Sequence, residues 1–448
     1  TLMNSPKAYE KINVGIFTGK ATELTHYHHG PSSIHKATDR MSQLECGVNN
    51  INLIVADSQS GSRECEEPPQ PRYAYIKRPK YLRLIFREED DPILTHEISE
   101  EIPVEFKFYV PIIPMILING TNGVGSGYSS DVPMHNPREV IDILEKRIIA
   151  DRDCLPHESI SLIPWYTNYK TNNLTQRDTE KQGRFITYGQ FKYNDGKLMI
   201  TELPANIKCT GFRNLLDKLT DEGLITDVSR IDGSEEDHHL FHGYVVKISK
   251  ETKDRFDNVD PETLADVIYE KFGLYDYVGT SNMNLLGPDS GRIKGYKTIE
   301  DIFTEYYEIR LSYYKIRKEF TIKEMEKMLN IYHFKALFIK HVLMKKENPD
   351  QIKVRGVKDK LSIVLDINKK IPGVQVINET PGELVSGSFN TLTSMAIHTL
   401  TIEEFNKLEE KYNIEKENLE KYKLKSIYDI WLEEINELEI ELKKNNIL

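Results

Sequence analysis

A chain of 448 residues is too long for one compact core and predicts two to four domains. No run reaches the ~18 uninterrupted apolar residues of a membrane helix, so a helical membrane protein is excluded. The formal net charge of −11 excludes a uniformly basic nucleic-acid binder, and any phosphate contact must come from a local cluster. The four cysteines, Cys46, Cys65, Cys154 and Cys209, have long irregular gaps that suit neither a metal site nor a disulfide framework, as expected of a soluble intracellular protein. The opening at Thr1, with no signal peptide, is what a fragment or a chain starting mid-sequence shows.

Residues 1–130 mix short helical and extended patterns, with a helix expected over 26–46 behind the start signal Gly30-Pro31-Ser32-Ser33. Just ahead of it, Tyr27-His28-His29-Gly30 sets two adjacent histidines on different faces. Either one of them meets a phosphate, as His⁺ donor or neutral proton acceptor, or the segment is a helix-entry turn with one structural histidine.

Residues 71–87 carry six basic side chains and no acid (Arg72, Lys77, Arg78, Lys80, Arg83, Arg87), and 88–102 then carry seven acids and no base. The last 48 residues hold 13 acids against 8 bases, so the acidity is expected away from the basic run, leaving an anion-binding face. Tyr73 opens that run beside Arg72. A tyrosine, with a free pKa of about 10, attacks a phosphodiester when a cation sits on the phosphate and its proton has an acceptor. An arginine supplies a planar two-pronged clamp on phosphate oxygens. Among 24 tyrosines, however, an isolated Arg-Tyr pair carries little weight.

Residues 103–118 are mostly apolar, and the run Asn119-Gly120-Thr121-Asn122-Gly123-Val124-Gly125-Ser126-Gly127 follows. It lacks the Lys of a phosphate-binding loop. It reads either as a turn that holds Val124 outward, able to wedge between base pairs, or as a plain tight turn.

From about 136 to 295 the pattern is α+β: a hairpin at Asn194-Asp195-Gly196, a helix over 210–223 ending at Gly223, and a strand at Tyr244-Val245-Val246-Lys247-Ile248. His238, His239 and His242 stand beside Glu235-Glu236-Asp237 and read as a solvated loop, not a zinc site.

Over 299–347, Ile302, Tyr306, Ile309, Tyr313, Ile316 and Phe320 step by four and three. After a jump of five, Met325, Leu329, Tyr332, Ala336, Ile339 and Leu343 resume, which predicts one long coiled-coil helix with a stutter, closed by Pro349. Tyr428, Trp431, Ile435, Leu438 and Leu442 repeat the seam near the end. Two such helices with an insert over 346–400 make an arm ending in a knob.

The ordered set is far more specific than any member. Tyr27-His28-His29-Gly30, Asn50-Ile51-Asn52-Leu53, Gln59-Ser60-Gly61-Ser62-Arg63, Pro71-Arg72-Tyr73, Tyr109-Val110-Pro111-Ile112-Ile113-Pro114-Met115 and Ile118-Asn119-Gly120 occur in that order. Ile200-Thr201-Glu202-Leu203-Pro204, Asn282-Met283-Asn284-Leu285, Tyr306-Tyr307-Glu308-Ile309-Arg310-Leu311 and Asp429-Ile430-Trp431 follow. Nearly the whole chain resembles the breakage-reunion region of type IIA DNA topoisomerases, closer to the eukaryotic, viral and phage branch than to bacterial gyrase.

The resemblance implies an α+β multidomain fold: a winged-helix DNA cleavage domain (1–135), an α/β tower domain (136–295), a long antiparallel coiled-coil arm (296–347 and 401–448) and a C-terminal gate head (348–400) that dimerises. It implies that Tyr73 links to a DNA 5′-phosphate, that Arg72 and His29 contact the scissile phosphate with His28 close by, and that Arg63, Lys77 and Arg78 meet the DNA backbone. Val124 takes the place of an intercalating residue, often Ile in the family. Ser5-Pro6-Lys7 stands where the family has an Arg-Lys pair, giving Lys7 that role. Glu64, Glu66, Glu67, Pro68 and Pro69 replace the usual glycine-lysine stretch.

The family's Mg²⁺-binding and ATP-binding modules have no counterpart in this sequence, so no metal site is expected in this chain. Both cofactors are expected on a different polypeptide or on an N-terminal region of the same one. The expected partners are double-stranded DNA and a second copy of the chain, in the nucleus or cytoplasm, virus- or phage-encoded proteins included. The rival reading is a non-catalytic DNA-bending protein dimerised by a coiled coil.

Overall fold

Asn13 closes strand β1 (Ile12–Asn13) and starts helix α1 (Val14–Thr25), because its side chain accepts from the backbone N–H groups of Gly15 and Ile16 at an otherwise unsatisfied helix end. The computed structural model that shows this describes residue 3 and residues 10–58, 60–63, 67–125, 127–231, 243–287, 291–344 and 401–448. The expected gate head, Lys7 and the histidines 238, 239 and 242 lie outside the described residues.

Helix α2 (Pro31–Ser42) begins at the Gly30-Pro31 signal, with proline where the helix needs no N–H donor. Strands β2 (Val55–Ala56) and β3 (Tyr75–Lys77) complete an antiparallel sheet in the order β1–β3–β2. Its core is Val14, Phe17, Ile54, Ala74, Ile76 and Leu82, the last from the short helix α3 (Leu82–Ile85).

Strands β4 (His96–Ser99) and β5 (Ile102–Phe106) form a hairpin, and the one-turn helix α4 (Met115–Ile118) follows. The glycine run folds as strand β6 (Thr121–Gly125) paired antiparallel with β7 (Tyr128–Val132). The buried Asn50 fastens this region. Its amide donates to the carbonyl oxygens of Ile118 (2.9 Å), His135 (2.9 Å) and Trp165 (3.0 Å), and the Asn119 side chain accepts from the N–H groups of Asn50 and Ile51. Buried backbone groups that no regular element can pair are satisfied this way.

Helix α5 (Pro137–Arg152) opens the next part. Strands β8 (Gln176–Arg177) and β9 (Arg184–Tyr188) belong to a sheet ordered β14–β9–β8, where β14 is Tyr275–Gly279. Strands β10 (Gln190–Asn194) and β11 (Lys197–Glu202) join through Asp195 (φ 46°) and Gly196 (φ 74°), the hairpin expected from the sequence. With β12 (Ile225–Arg230) and β13 (Tyr244–Ile248) they make a four-stranded sheet in the order β10–β11–β13–β12. Helices α6 (Cys209–Asp221), α7 (Lys250–Asp257) and α8 (Pro261–Lys271) supply Phe212, Leu216, Phe256 and Ile268 to its core. α6 stops just before Gly223 (φ 72°), as its glycine signal predicts. β15 (Met283–Leu286) pairs with β16 (Ile293–Tyr296).

Helix α9 (Ile299–Met344) runs 46 residues without a break. In its second half the expected seam holds: Ala336 and Ile339 pack with Leu408, joined by Tyr332 and Phe405. In its first half the seam is corrected. The expected Ile302 is buried, but beyond it the buried stripe is Phe303, Tyr307, Arg310, Tyr314 and Arg317, one position past the expected one, and Ile316 is 48% exposed. Aromatic stacking and a buried ion pair decide that face: Tyr307 stacks on Trp431 with ring centroids 5.3 Å apart, and Arg310 Nη1 lies 2.7 Å from Asp90 Oδ2.

Helix α10 (Ile402–Leu424) runs antiparallel to α9, since Leu408 meets Ile339 while Lys423 pairs with Glu326. The chain turns at Lys425-Ser426 before α11 (Ile427–Lys444). By contact the chain divides into two compact units, 1–312 with 431–448, and 313–430.

Candidate functional site

Tyr73 sits in the turn before β3, and its N–H donates to Gln70 O at 2.9 Å. β3 is the middle strand of its sheet, so the turn hangs from a fixed element. The Tyr73 side chain is 69% exposed, unusual for so large a ring within a folded domain. The guanidinium carbon of Arg72 lies 5.6 Å from the Tyr73 ring centroid. Arg72 is exposed and pairs with no carboxylate among the described residues, so its charge faces solvent next to the phenol. The pair therefore displays a cation and a phenol side by side at the surface.

His28 and His29 are exposed in the segment joining α1 to α2, with ring centroids 4.2 Å apart, and the Tyr27 ring stands edge-on to His29 at 5.3 Å. They are brought together with each other and with Tyr27. Val124 stands opposite Ser129 near the tip of the β6–β7 hairpin and is 80% exposed. The hairpin is braced from behind. Asp131 N–H donates to Asn282 O (2.8 Å), the Asn282 amide donates to Ser129 Oγ (2.8 Å), and the Asn284 amide donates to Ser129 O (2.9 Å).

The expectation that the acidity lies apart from the basic run is overturned for three of its members. Arg83 pairs with Asp91 at 2.8 Å, and Arg87 reaches Glu89 and Glu437 at 3.2 and 2.9 Å. Lys77 holds Asp57 at 3.1 Å, helped by Lys11, and the two ammonium groups hold the Asp57 carboxyl below the usual range. Asp91 and Glu89 come from the acidic run that directly follows the basic one, whereas Asp57 and Glu437 come from outside it. Arg78 donates to the carbonyl of Met3.

Arg63 is paired with a carboxylate as well. Expected on the DNA backbone, its guanidinium is 8% exposed and lies 2.6 Å from Glu202, which is fully buried. It also donates to the carbonyls of Leu203 and Pro204. A buried carboxylate demands a charged, multidentate partner, and Arg63 is that partner.

Two features escaped the sequence reading. The first is Asn13, whose amide faces the carbonyls on both sides of Tyr73; an asparagine directly before an apolar periodic run was its signal. The second is a cavity of about 990 Å³ whose lining includes Lys36, Arg40, Lys208, Asn122 and Glu45. Lys36 and Arg40 are the exposed basic positions of α2, four apart on one face. Burial pushes the Glu45 carboxyl up to about 7, against the pull of Arg63.

A family model for the A-type subunits of DNA gyrase and topoisomerase IV matches residues 2–436. The chain belongs to this family. It is 29% identical to DNA topoisomerase 2 of Pisum sativum over 97% of its length, covering 30% of that protein. It is also 29% identical to DNA topoisomerase 2 of Invertebrate iridescent virus 6, covering 97% of this chain and 35% of the viral one. It therefore spans about a third of the curated relatives it matches. Among solved structures, the Plasmodium falciparum topoisomerase II DNA-binding, cleavage and re-ligation domain superposes with a TM-score of 0.80 at 26% identity, covering 98% of this chain and 59% of that one.

In this topoisomerase-family chain, segments far apart in sequence meet as partners. Arg63 meets Glu202, Arg310 meets Asp90, and the Trp431 indole donates to Ile112 O at 2.8 Å. Among the described residues, one carboxylate group, Asp142, Glu145 and Glu439, has the spacing to hold a metal ion. It belongs to α5 and α11, not to the turn of Tyr73. No helix of the described residues is long and apolar enough to cross a membrane.

Proposed function

We propose that this chain is the DNA cleavage-rejoining part of a type IIA topoisomerase, acting as a two-fold dimer on duplex DNA. The observation that carries the reading is the exposed Arg72–Tyr73 pair on a fixed turn in a chain of this family.

The Tyr73 Oη gives up its proton and attacks a backbone phosphorus. A P–Oη bond forms, the bond from phosphorus to the 3′ oxygen breaks, and that oxygen takes a proton. Arg72 clamps the non-bridging oxygens and stabilises their charge in the transition state. His29, with His28 beside it, donates to the same phosphate or accepts the phenolic proton. The reverse attack by the 3′ hydroxyl restores the DNA without water, because the phosphotyrosyl bond retains the energy of the diester. Two such tyrosines in a dimer cut opposite strands and let a second duplex pass.

Val124 is the wedge that bends the cleaved duplex, held stiff by the Asn282 and Asn284 braces. Lys36 and Arg40 line the groove, while Lys77, Arg78 and Lys7 supply weaker backbone contacts. Arg63 belongs to the supporting frame. Residues 1–135 act as the winged-helix domain and 136–295 as the tower. Residues 296–347 and 401–448 act as the arm, a role supported by the antiparallel α9–α10 pairing, and 348–400 as the dimer gate. Mg²⁺ and ATP act from modules beyond these residues. Bound beside the scissile phosphate, Mg²⁺ would supply charge stabilisation for the attacking and leaving oxygens.

The test is Tyr73→Phe in the complete enzyme. The expected result is no denaturant-trapped covalent DNA–protein complex, with duplex binding retained. Covalent DNA on the Phe variant, or supercoil relaxation by it, overturns the assignment of Tyr73 as the nucleophile.

A further inference from the structure

We infer that Asn13 is a positioning residue for Tyr73, an inference that rests on the cleavage reading above. Its side chain does two separate jobs with its two ends. The Oδ1 atom accepts from Gly15 N–H (3.0 Å) and Ile16 N–H (3.4 Å), capping α1. The Nδ2 atom faces the carbonyl oxygens of Pro71 (3.2 Å), Arg72 (3.0 Å) and Ala74 (3.3 Å).

These carbonyls bracket the Arg72 and Tyr73 residues on both sides. Besides this amide, two backbone hydrogen bonds and the buried Ala74 hold the turn. Tyr73 N–H reaches Gln70 O, and Ala74 O receives Val14 N–H at 2.9 Å. The β1–β3 register places Asn13 opposite Tyr75, so the amide arrives from the neighbouring strand rather than from the turn itself. With its phenol exposed, Tyr73 gains little orientation from side-chain packing, so its placement falls to the backbone of the turn. An amide with two N–H groups shared over three carbonyls holds that backbone and adds no charge beside Arg72.

In-line attack needs the phenolic oxygen within a narrow range of distance and angle to the phosphorus. A displacement of ~1 Å costs about a hundredfold in rate. Asn13 therefore acts on the cleavage step through the placement of Tyr73 and touches no DNA itself.

Two substitutions separate the two ends of the side chain. Asn13→Ser keeps a helix-capping oxygen and replaces the two amide N–H donors, which reach the three carbonyls, with one hydroxyl on a shorter side chain. Asn13→Lys removes the cap and restores a donor toward the carbonyls. In the complete enzyme, the rate of covalent complex formation on a duplex oligonucleotide is read alongside the Kd for that duplex and the melting temperature. The expected result for Asn13→Ser is a cleavage rate lower by about ten- to a hundredfold, with Kd and melting nearly unchanged. Asn13→Lys is expected to recover most of that rate while melting at a lower temperature.

Full cleavage by Asn13→Ser, or loss that tracks melting temperature in both variants, overturns the inference and leaves Asn13 as a helix cap. Tyr73→Phe, run in parallel, keeps the two questions apart. If it still forms covalent DNA, the cleavage reading has failed. If it is inactive while Asn13→Ser is fully active, only the role of Asn13 has failed.

Discussion

The guanidinium of Arg63 meets the carboxylate of Glu202 at 2.6 Å across 139 residues of sequence, with both groups withdrawn from water. Burial of such a pair is neutral at best relative to apolar packing, but removal of one member strands the other. Arg63→Ala is therefore expected to destabilise the chain by about 3–5 kcal/mol, measured by denaturant unfolding. The salt dependence of DNA binding, compared under conditions where the variant is folded, should keep its slope. A slope reduced by about one counterion, with stability intact, would return Arg63 to the DNA backbone.

Val124→Ala separates bending from folding. A side chain that is 80% exposed contributes little to the core, so melting should shift by no more than about 0.5 kcal/mol equivalent. Bending of a doubly labelled duplex by the complete enzyme should fall, and cleavage should drop about tenfold, since an unfilled kink is costly to hold. Unaltered bending would remove Val124 as the wedge.

Gly120 anchors the base of the same hairpin. It has φ 62°, and a Cβ there would lie 2.3 Å from Val132 O, a backbone atom that cannot yield cheaply. Gly120→Ala is expected to cost about 2–4 kcal/mol, with faster hydrogen exchange in the β6–β7 hairpin. Wild-type stability in this variant would show that the backbone relaxes there.

Glu45 sets a pH dependence. Burial raises its carboxyl from the ordinary 4.5 to about 7, Arg63 opposes this, and Asp39 adds to it. Below pH 4.5 the group is protonated both folded and unfolded and contributes nothing. Between 4.5 and 7 the folded chain keeps a proton that the unfolded chain releases, so stability falls as pH rises. Above that window the full penalty, at most about 3 kcal/mol, is present. Glu45→Gln should raise the melting temperature at pH 8 and change it little at pH 4. An equal effect at both pH values would assign the change to packing rather than to charge.

The local elements were legible wherever a backbone signal stood alone. Gly30-Pro31 placed the start of α2, Asp195-Gly196 placed the β10–β11 turn, and Gly223 placed the end of α6. The long helix was legible as well, because heptad spacing over many turns has few other interpretations. Its buried face was not legible throughout. Ile302 and Phe303 are both buried, and beyond them the step from Tyr306 to Ile309 has the same spacing as the step from Tyr307 to Arg310. Only contact with Trp431 and Asp90 selects between them.

The candidate site divides in the same way. Sequence by itself determined the order of the motifs and which residues have the chemistry: a phenol beside a guanidinium, paired histidines, and one apolar residue among glycines. Those are properties of residue types and short spacing. Tertiary structure decided which charges remain available. Arg63, Lys77, Arg83 and Arg87 read as one class with Arg72, yet each found a carboxylate, two of them from segments more than a hundred residues away. It also decided that Asn13 lies under Tyr73. Charge pairing and strand pairing depend on distance in space, and a linear sequence carries that distance only after the chain has closed on itself.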